Sequence, residues 1–180
     1  MIVIGTSLGG LHALQIVLRA LPGGYPYPVA IVQHRVKSAE SGLRQLLQRG
    51  CALEVVEPED KDPLRPGVVY LAPADYHLLV DRQTAVLSTE GRVNHARPSI
   101  DVLFESAAVA FASAVTGVVL TGSNEDGARG ALLIVQSGGR LLIQDPKQSE
   151  SGIMPAAALA LTGEKRCYTL HEIASELATR

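Results

Sequence analysis

The sequence predicts an α/β fold: a three-layer, doubly wound and mostly parallel sheet, with a small antiparallel region in the middle of the chain. Short apolar runs such as Val29–Val32 and Val115–Leu120 alternate with segments of helical periodicity, as in strands linked by crossover helices. These runs are continuous in hydrophobicity, which is typical of strands buried on both faces. At 180 residues, 47% of them hydrophobic, the chain suits one domain with a sizeable core.

The first part of the chain predicts three strands and two helices. The strands are apolar runs that stop at glycine or polar residues, and the first helix carries apolar residues at helical spacing. In chain order these elements are Met1–Ile4, the helix Leu11–Leu18, the strand Val29–Val32, a helix that ends at Gly50, and the strand Leu53–Val56. Ser38 is the expected N-cap of the second helix, with Ser41 as the alternative.

The middle of the chain predicts short strands, and the rest alternates helices with strands. Val68–Leu71, His77–Val80 and Ala85–Leu87 are separated by turn residues and predict the partly antiparallel region. Pro98 is expected to begin the next helix, because proline is favoured at the first helical position. The remaining elements are the helix to Phe111, the strand Val115–Leu120, the helix Ala128–Ser137, the strand Leu141–Ile143, and the helices Pro155–Leu161 and His171–Ala178.

Charge and aromatic content exclude several classes of function. A formal net charge of -2 gives no bulk basic surface for nucleic acid or for an acidic membrane. Aromatic residues make up only 4% of the chain and tryptophan is absent, which argues against stacking platforms for bases. We therefore expect no nucleic-acid partner.

Cysteine usage and hydropathy place the protein in the cytoplasm. Cys51 and Cys167 lie far apart without a Cys-x-x-Cys pattern, so they predict neither a disulfide framework nor a metal site. No apolar run reaches the roughly 18 residues that a membrane helix needs. No basic segment precedes the first apolar stretch, as a signal peptide would require. We expect a cytoplasmic protein without membrane insertion.

Polar side chains follow the buried strands at the ends where doubly wound sheets bind ligands. Ser7 follows the first strand and His34 follows the second. Asp126 and Asp145 follow two later strands. A serine, a histidine and an aspartate are the components of an activated serine nucleophile.

The first strand ends in a Gly-x-Ser-x-Gly pattern. Gly5–Gly9 reads Gly-Thr-Ser-Leu-Gly, which favours a tight strand-to-helix turn that exposes the oxygen of Ser7. Such a turn also fits a phosphate cradle or a purely structural role. However, the pattern is not Gly-x-Gly-x-x-Gly, and the residue after the second strand is His34 rather than an acid. This combination favours a nucleophile with a general base over a nucleotide site.

His34 is the favoured base among the five histidines, because it ends a strand opposite Ser7. The acid that would orient it is left open by the residues alone. Asp126 lies in a glycine-rich turn before a helix, where an N-cap is the alternative role. Asp145 precedes Pro146 in an expected turn, and the pattern prefers Asp126 only slightly.

These residues together resemble the catalytic domain of the chemotaxis-type protein-glutamate methylesterase family, CheB. The resemblance runs over nearly the whole chain, and its motifs are specific only when taken together. They are Ile4–Gly10, Gln33-His34, Tyr70–Pro73 with His77-Leu78, Arg97–Phe104, Leu120–Gly122 with Asp126–Ala128, Gln144–Pro146, and Met154-Pro155.

The resemblance implies a function and settles the choice of acid. It implies Ser7 as nucleophile, His34 as base and Asp126 as orienting acid. The implied reaction is hydrolysis of glutamate methyl esters on methylated chemoreceptors, with release of methanol and, in some members, deamidation of receptor glutamine. We expect no cofactor and no metal. Further candidates for the oxyanion site and for substrate contact are Thr6, Gly9, Gly10, Gly122 and Ser123.

The chain departs from the family pattern next to these residues. Leu8 stands where the family has threonine, and Ser123-Asn124 replace the usual Met-Gly before the acid. Residues 1–180 are expected to form a single catalytic domain without the family's receiver domain, since Met1 starts the first strand. Control of the activity is then expected to come from a regulatory partner or to be absent.

Three alternatives remain open at this point. The changes at Leu8 and Asn124 also fit a weakened module that docks on receptors or on a methyltransferase. A hydrolase or deamidase acting on a different protein is the second alternative. A nucleotide-binding α/β protein is the third.

Overall fold

The structure is a computed structural model that describes residues 1–35 and 42–180. Ser38 and Ser41, the expected helix caps, lie outside the described residues. The strands in these described ranges are β1 Ile2–Thr6, β2 Val29–Gln33, β3 Glu54–Val56, β4 Val68–Leu71, β5 His77–Asp81, β6 Thr84–Ser88, β7 Thr116–Val119 and β8 Arg140–Ile143. The helices are α1 Gly10–Arg19, α2 Leu43–Gln48, α3 Ile100–Phe111, α4 Ala128–Gln136, α5 Ile153–Thr162 and α6 Leu170–Ala178.

Six of the strands form one parallel sheet in the order β3-β4-β2-β1-β7-β8. From β1 the chain crosses to β2 on one side, whereas from β7 it crosses to β8 on the other. The connections therefore diverge between β1 and β7, and a crevice opens beyond the carboxyl ends of these two strands. Ligands bind at this position in doubly wound sheets, and it is where Ser7 and the loop after β7 lie.

Helices cover both faces of the sheet, which confirms the predicted three layers. The strands divide the core, since Val3 packs on one face while Ile2 and Ile4 pack on the other. Residues of α3, α4 and α5 fill the first face, and residues of α1, α2 and α6 fill the second. Burial on both faces explains why β1 is continuously apolar.

The middle of the chain differs from the prediction in one strand. β5 and β6 form an antiparallel hairpin, as expected, and the hairpin packs on α3. Val68–Leu71, however, is β4 of the main sheet and pairs in parallel with both β2 and β3. All four of its residues are buried, as is typical of a strand inside a parallel sheet.

Several predicted element ends also shift, among them those of the first strand and of α3. Thr6 is the last residue of β1 and not part of the turn. Helix α3 begins at Ile100, with Ser99 at the N-cap position, so Pro98 precedes the helix instead of starting it. None of the helices within the described ranges has both the length and the apolarity needed to cross a membrane.

Candidate active site

The turn that carries Ser7 is tied to the loop after β7. The Ser7 N–H donates to the carbonyl of Thr121 at 3.0 Å, and the Gly10 N–H closes the turn on the carbonyl of Ser7 at 3.0 Å. Gly9 takes a left-handed conformation with φ of 79° at the N-cap of α1, which favours glycine over residues with a Cβ. The turn thus places Ser7 beside the positive end of α1.

Gln33 links the serine turn to the end of β2. Its Nε2 donates to the carbonyl of Ser7 at 2.8 Å and to the carbonyl of His34 at 3.0 Å. The His34 N–H in turn donates to the carbonyl of Thr6 at 3.0 Å. A Cβ on Gly10 would collide with Gln33 Oε1 and would lie 2.5 Å from Thr6 Oγ1. Gly10 is therefore required for this close packing between α1 and the strand ends.

The imidazole of His34 contacts the carboxylate of Asp126. His34 Nε2 lies 2.7 Å from Asp126 Oδ2, and the two side chains are 12% and 0% exposed. An ionised carboxylate only accepts hydrogen bonds, so Nε2 carries the proton and Nδ1 keeps its lone pair in the neutral ring. Nδ1 is thus the ring nitrogen that can accept a proton, the opposite of the serine protease template.

Asp126 is held at the N-terminus of α3. Its carboxylate accepts hydrogen bonds from Ser99 Oγ at 2.8 Å, from the Ile100 N–H at 2.6 Å and from the Asp101 N–H at 3.2 Å. The first N–H groups of a helix lack partners within the helix and attract an anion. The N-cap of α4 is Gly127 and receives no side-chain cap, so the alternative role of Asp126 as N-cap is wrong.

Hydrogen bonding lowers the pKa of Asp126. Burial acts to raise this pKa, but the hydrogen bonds from His34, Ile100 and Asn94 together outweigh it. Asp126 therefore stays ionised over a wider pH range than an ordinary aspartate. A charged partner beside Nε2 stabilises the imidazolium that forms when His34 accepts a proton.

A second buried carboxylate lies behind Asp126. Asn94 Nδ2 donates both to Asp101 Oδ2 at 2.8 Å and to Asp126 Oδ1 at 3.1 Å. Burial raises the pKa of Asp101, and the charge of Asp126 adds to that effect, while the hydrogen bond from the Gly130 N–H opposes it. The amide group of Asn94 thus bridges the carboxylates of Asp101 and Asp126 by donating a hydrogen bond to each.

The reactive groups open into clefts on both sides of His34. Ser7 and His34 share one of about 640 Å³, which also exposes Gly9, Ser123 and Glu150. A second cleft of about 550 Å³ lies on the other side of His34. Its polar lining is largely basic and includes Arg35, Arg92, His95, Arg97 and Asn124. The site therefore combines a serine hydroxyl, an imidazole and room for a side chain with its flanking peptide.

Several proposed oxyanion donors are already occupied. The Thr6 hydroxyl is buried and donates to the carbonyl of Thr121 at 2.8 Å. The N–H of Gly10 bonds to Ser7, and the N–H of Gly122 bonds to the carbonyl of Ser151 at 3.0 Å. An oxyanion would have to compete with these existing hydrogen bonds for the same donors, and the three residues stay predicted candidates.

Two of the predicted oxyanion candidates keep an N–H without a partner. Within residues 1–35 and 42–180, no partner engages the N–H of Gly9 or of Ser123. Both residues line the cleft that contains Ser7. Gly9 and Ser123 therefore stay candidates for the oxyanion site.

The competing acid has a structural role. Asp145 Oδ1 accepts the Lys147 N–H at 2.9 Å and Oδ2 accepts from Gln148 Nε2 at 3.1 Å. Asp145 thus caps the short 3-10 turn Pro146–Gln148. His77 accepts the Ser99 N–H at Nδ1, 3.2 Å away, and so supports the residue that holds Asp126.

The contacts that Asn94 and Ser99 make with Asp126 were not predicted from the sequence. The sequence did contain a signal for Ser99 as a helix N-cap, since a serine before an apolar helical segment is typical of a helix start. Asn94 lies in an irregular loop with φ of 50°, and nothing in its sequence neighbourhood indicates contact with Asp126. Such contacts depend on how distant segments meet.

Residues 2–177 match the protein family described as CheB methylesterase. A solved structure, the crystal structure of the Thermotoga maritima CheB methylesterase catalytic domain, matches with a TM-score of 0.94 at 30% identity. The match covers 99% of this chain and 96% of that one. A Leptospira interrogans protein is 40% identical, with 96% of this chain and 90% of that protein covered.

Two longer relatives are named protein-glutamate methylesterase/protein-glutamine glutaminase. The Nocardioides protein is 41% identical and covers 100% of this chain. The Anaeromyxobacter dehalogenans protein, whose printed name ends in the number 2, is 41% identical to this chain. The match covers 96% of this chain. The chain spans 50% of the length of each. Family match, relatives and fold agree, and the chain belongs to the CheB methylesterase family.

Proposed function

We propose that this chain is a serine hydrolase that removes the methyl group from glutamate methyl esters on chemoreceptor proteins and releases methanol. The observation that carries the proposal is the 2.7 Å contact between His34 and Asp126 beside Ser7, at the crevice of a CheB-family fold. Residues 1–180 act as one catalytic domain with Ser7 as nucleophile, His34 as base and Asp126 as orienting acid.

The acylation step uses the geometry of the imidazole. His34 Nδ1 takes the proton of Ser7 as the serine oxygen attacks the ester carbonyl. Asp126 accepts the hydrogen bond from Nε2 and stabilises the positive ring. The bond between the acyl carbon and the methoxy oxygen then breaks, and the Nδ1 proton passes to the departing methoxide to form methanol.

Deacylation repeats the sequence with water as nucleophile. Nδ1 accepts a proton from water as the water oxygen attacks the acyl carbon of Ser7. The ester bond to Ser7 breaks, the proton returns to the serine oxygen, and a free glutamate remains on the receptor. Each proton transfer in the cycle therefore has a defined donor and a defined acceptor.

The oxyanion of each tetrahedral intermediate lies near the start of α1. Gly9 and Ser123, whose N–H groups have no partner in the described part of the chain, line the cleft with Ser7, and the helix N-terminus adds partial positive charge. The same attack on a side-chain amide would release ammonia. This supports deamidation of receptor glutamine, the second activity in the names of the relatives.

The comparisons and the site weigh against the two more distant alternatives. A docking module without catalysis has no need of a buried carboxylate aligned on Nε2 of His34. A nucleotide-binding protein requires free N–H groups around a phosphate, but the N–H of Gly10 is committed to Ser7. Both observations favour hydrolysis.

The test is the Ser7→Ala variant assayed on a receptor fragment with labelled glutamate methyl esters. Released methanol is expected to fall by roughly three orders of magnitude or more, as for other serine hydrolases that lose a triad member. Ser113→Ala is the control, because Ser113 is exposed in a 3-10 turn remote from the cleft residues. Wild-type rates in Ser7→Ala would overturn the proposal.

A further inference from the structure

Asn124 contacts the base of the proposed triad. Its Nδ2 lies 3.3 Å from His34 Nδ1, and its Oδ1 accepts the N–H of Asp126 at 3.2 Å. The second contact determines the orientation of the side chain, since only the oxygen can accept that N–H. The amide group therefore points its own N–H at the imidazole.

Both nitrogens of His34 are consequently occupied. Nε2–H donates to Asp126, and the lone pair of Nδ1 accepts from Asn124. The hydroxyl of Ser7 makes no hydrogen bond to any residue within 1–35 and 42–180. The lone pair that must receive the serine proton is thus engaged by Asn124 in the substrate-free protein.

We propose that Asn124 is a positioning residue that holds His34 in a resting state and releases it when a peptide substrate binds. This inference rests on the proposed function, because it takes His34 as the base for Ser7. While Asn124 donates to Nδ1, the serine proton has no acceptor. The N–H of Asn124 must leave Nδ1 before Ser7 can attack.

The position of Asn124 indicates what releases it. Asn124 lies on the wall of the basic cleft, together with His34 and Arg97, and its side chain is partly exposed there. A peptide segment in this cleft brings backbone carbonyl groups, which accept N–H donors as readily as Nδ1 does. A substrate carbonyl that accepts from Asn124 would free Nδ1, so polypeptide esters would activate the enzyme and small esters would not.

The test compares a small probe with the protein substrate. A fluorophosphonate contains no peptide carbonyl, so the resting contact slows its reaction with Ser7. Replacing Asn124 with serine removes the donor to Nδ1, while the shorter hydroxyl still accepts the Asp126 N–H in a local turn. We expect Asn124→Ser to react with the probe roughly 2- to 13-fold faster, the range set by one net hydrogen bond.

Turnover of the methylated receptor fragment is expected to stay within about twofold, or to fall, because the substrate already displaces Asn124. A purely structural role predicts slower reaction with both compounds, since a damaged loop does not accelerate proton transfer. Asn124→Gly provides a second variant with no side chain. Glu125→Gln is the matched control in the same loop, since its side chain is exposed.

The outcomes are decided by Asn124→Ser. A faster reaction with the probe supports the inference, whereas an equal or slower reaction overturns it, whatever the glycine variant does. Equal acceleration with the probe and with the receptor fragment would also overturn it, because release would then not depend on a peptide. If the wild-type protein is not labelled at Ser7, the proposed function has failed, which is a separate result.

Discussion

Replacing Asp126 with asparagine changes the hydrogen bonding of the site while keeping its shape. The carboxylate accepts from five donors, which an amide cannot do because one of its two ends donates. If the amide NH2 replaces Oδ1, the donors of Asn94 and the Asp101 N–H lose their acceptor. If it replaces Oδ2, the Ile100 N–H loses its acceptor and His34 must change tautomer.

The second orientation, with the NH2 group in place of Oδ2, leaves fewer donors without an acceptor. Its free-energy cost therefore sets the expected loss of stability. One buried N–H without a partner costs about 1–3 kcal/mol of folding free energy. Loss of the negative charge at the start of α3 adds about 0.3–1 kcal/mol. For a chain of this size the melting temperature should fall by roughly 3–15 °C. Asparagine then donates to Nε2, which puts the proton of His34 on Nδ1, where it cannot accept from Ser7.

The assay measures stability and turnover on the same preparations. We expect Asp126→Asn to remain folded at 25 °C but to lose about four orders of magnitude in methanol release, the cost of the wrong tautomer in serine hydrolases. Glu125→Gln, one residue away with an exposed side chain, should match the wild type in both. Turnover within tenfold of wild type in a destabilised Asp126→Asn would refute the reasoning about the tautomer.

Two further predictions concern packing and pH. In thermal unfolding and turnover assays, Gly10→Ala should lower the free energy of unfolding by about 1–3 kcal/mol and slow methanol release about a hundredfold. The cause is displacement of Gln33, whose side chain donates to the carbonyl groups of Ser7 and His34. The control Gly24→Ala, where an added Cβ would have nothing within 4 Å, should change neither quantity. The lowered pKa of Asp126 should stabilise the fold above pH about 3.9, the value in the unfolded chain, and this contribution should disappear as pH falls through the lower folded value. Urea titrations from pH 5 to 2 should therefore show a stability difference between wild type and Asp126→Asn that shrinks toward acid, and a constant difference would contradict the linkage.

The parts of the fold that depend on local pattern were predictable. Continuous apolar runs identified β1, β2, β7 and β8, and the glycine-rich turn placed Ser7 at the crevice. The partners of β4 were not predictable, because a run of four apolar residues fits an edge hairpin or a central strand equally well. Its place between β2 and β3 depends on contacts far apart in the chain.

The candidate site, like the fold, was predictable only in part from the sequence. Residue order alone left Asp126 and Asp145 open, since each follows a buried strand and each has an ordinary turn role. The structure separates them: Asp145 caps its own turn, whereas Asp126 receives N–H groups from α3 and Nε2 of His34. Which carboxylate reaches the histidine depends on the packing of α3 against the loop after β7.

By itself, the sequence determined the α/β class, the glycine-rich turn that carries Ser7 and the strand-end position of His34, because strand burial and tight turns are encoded over a few neighbouring residues. Only the tertiary structure decided which ring nitrogen faces Asp126 and that Asn124 occupies the other. It also showed that Gly10 and Gly122 have no free N–H for an oxyanion. Hydrogen bonds between segments distant in the chain have no local pattern, since they exist only once the strands and α3 have packed.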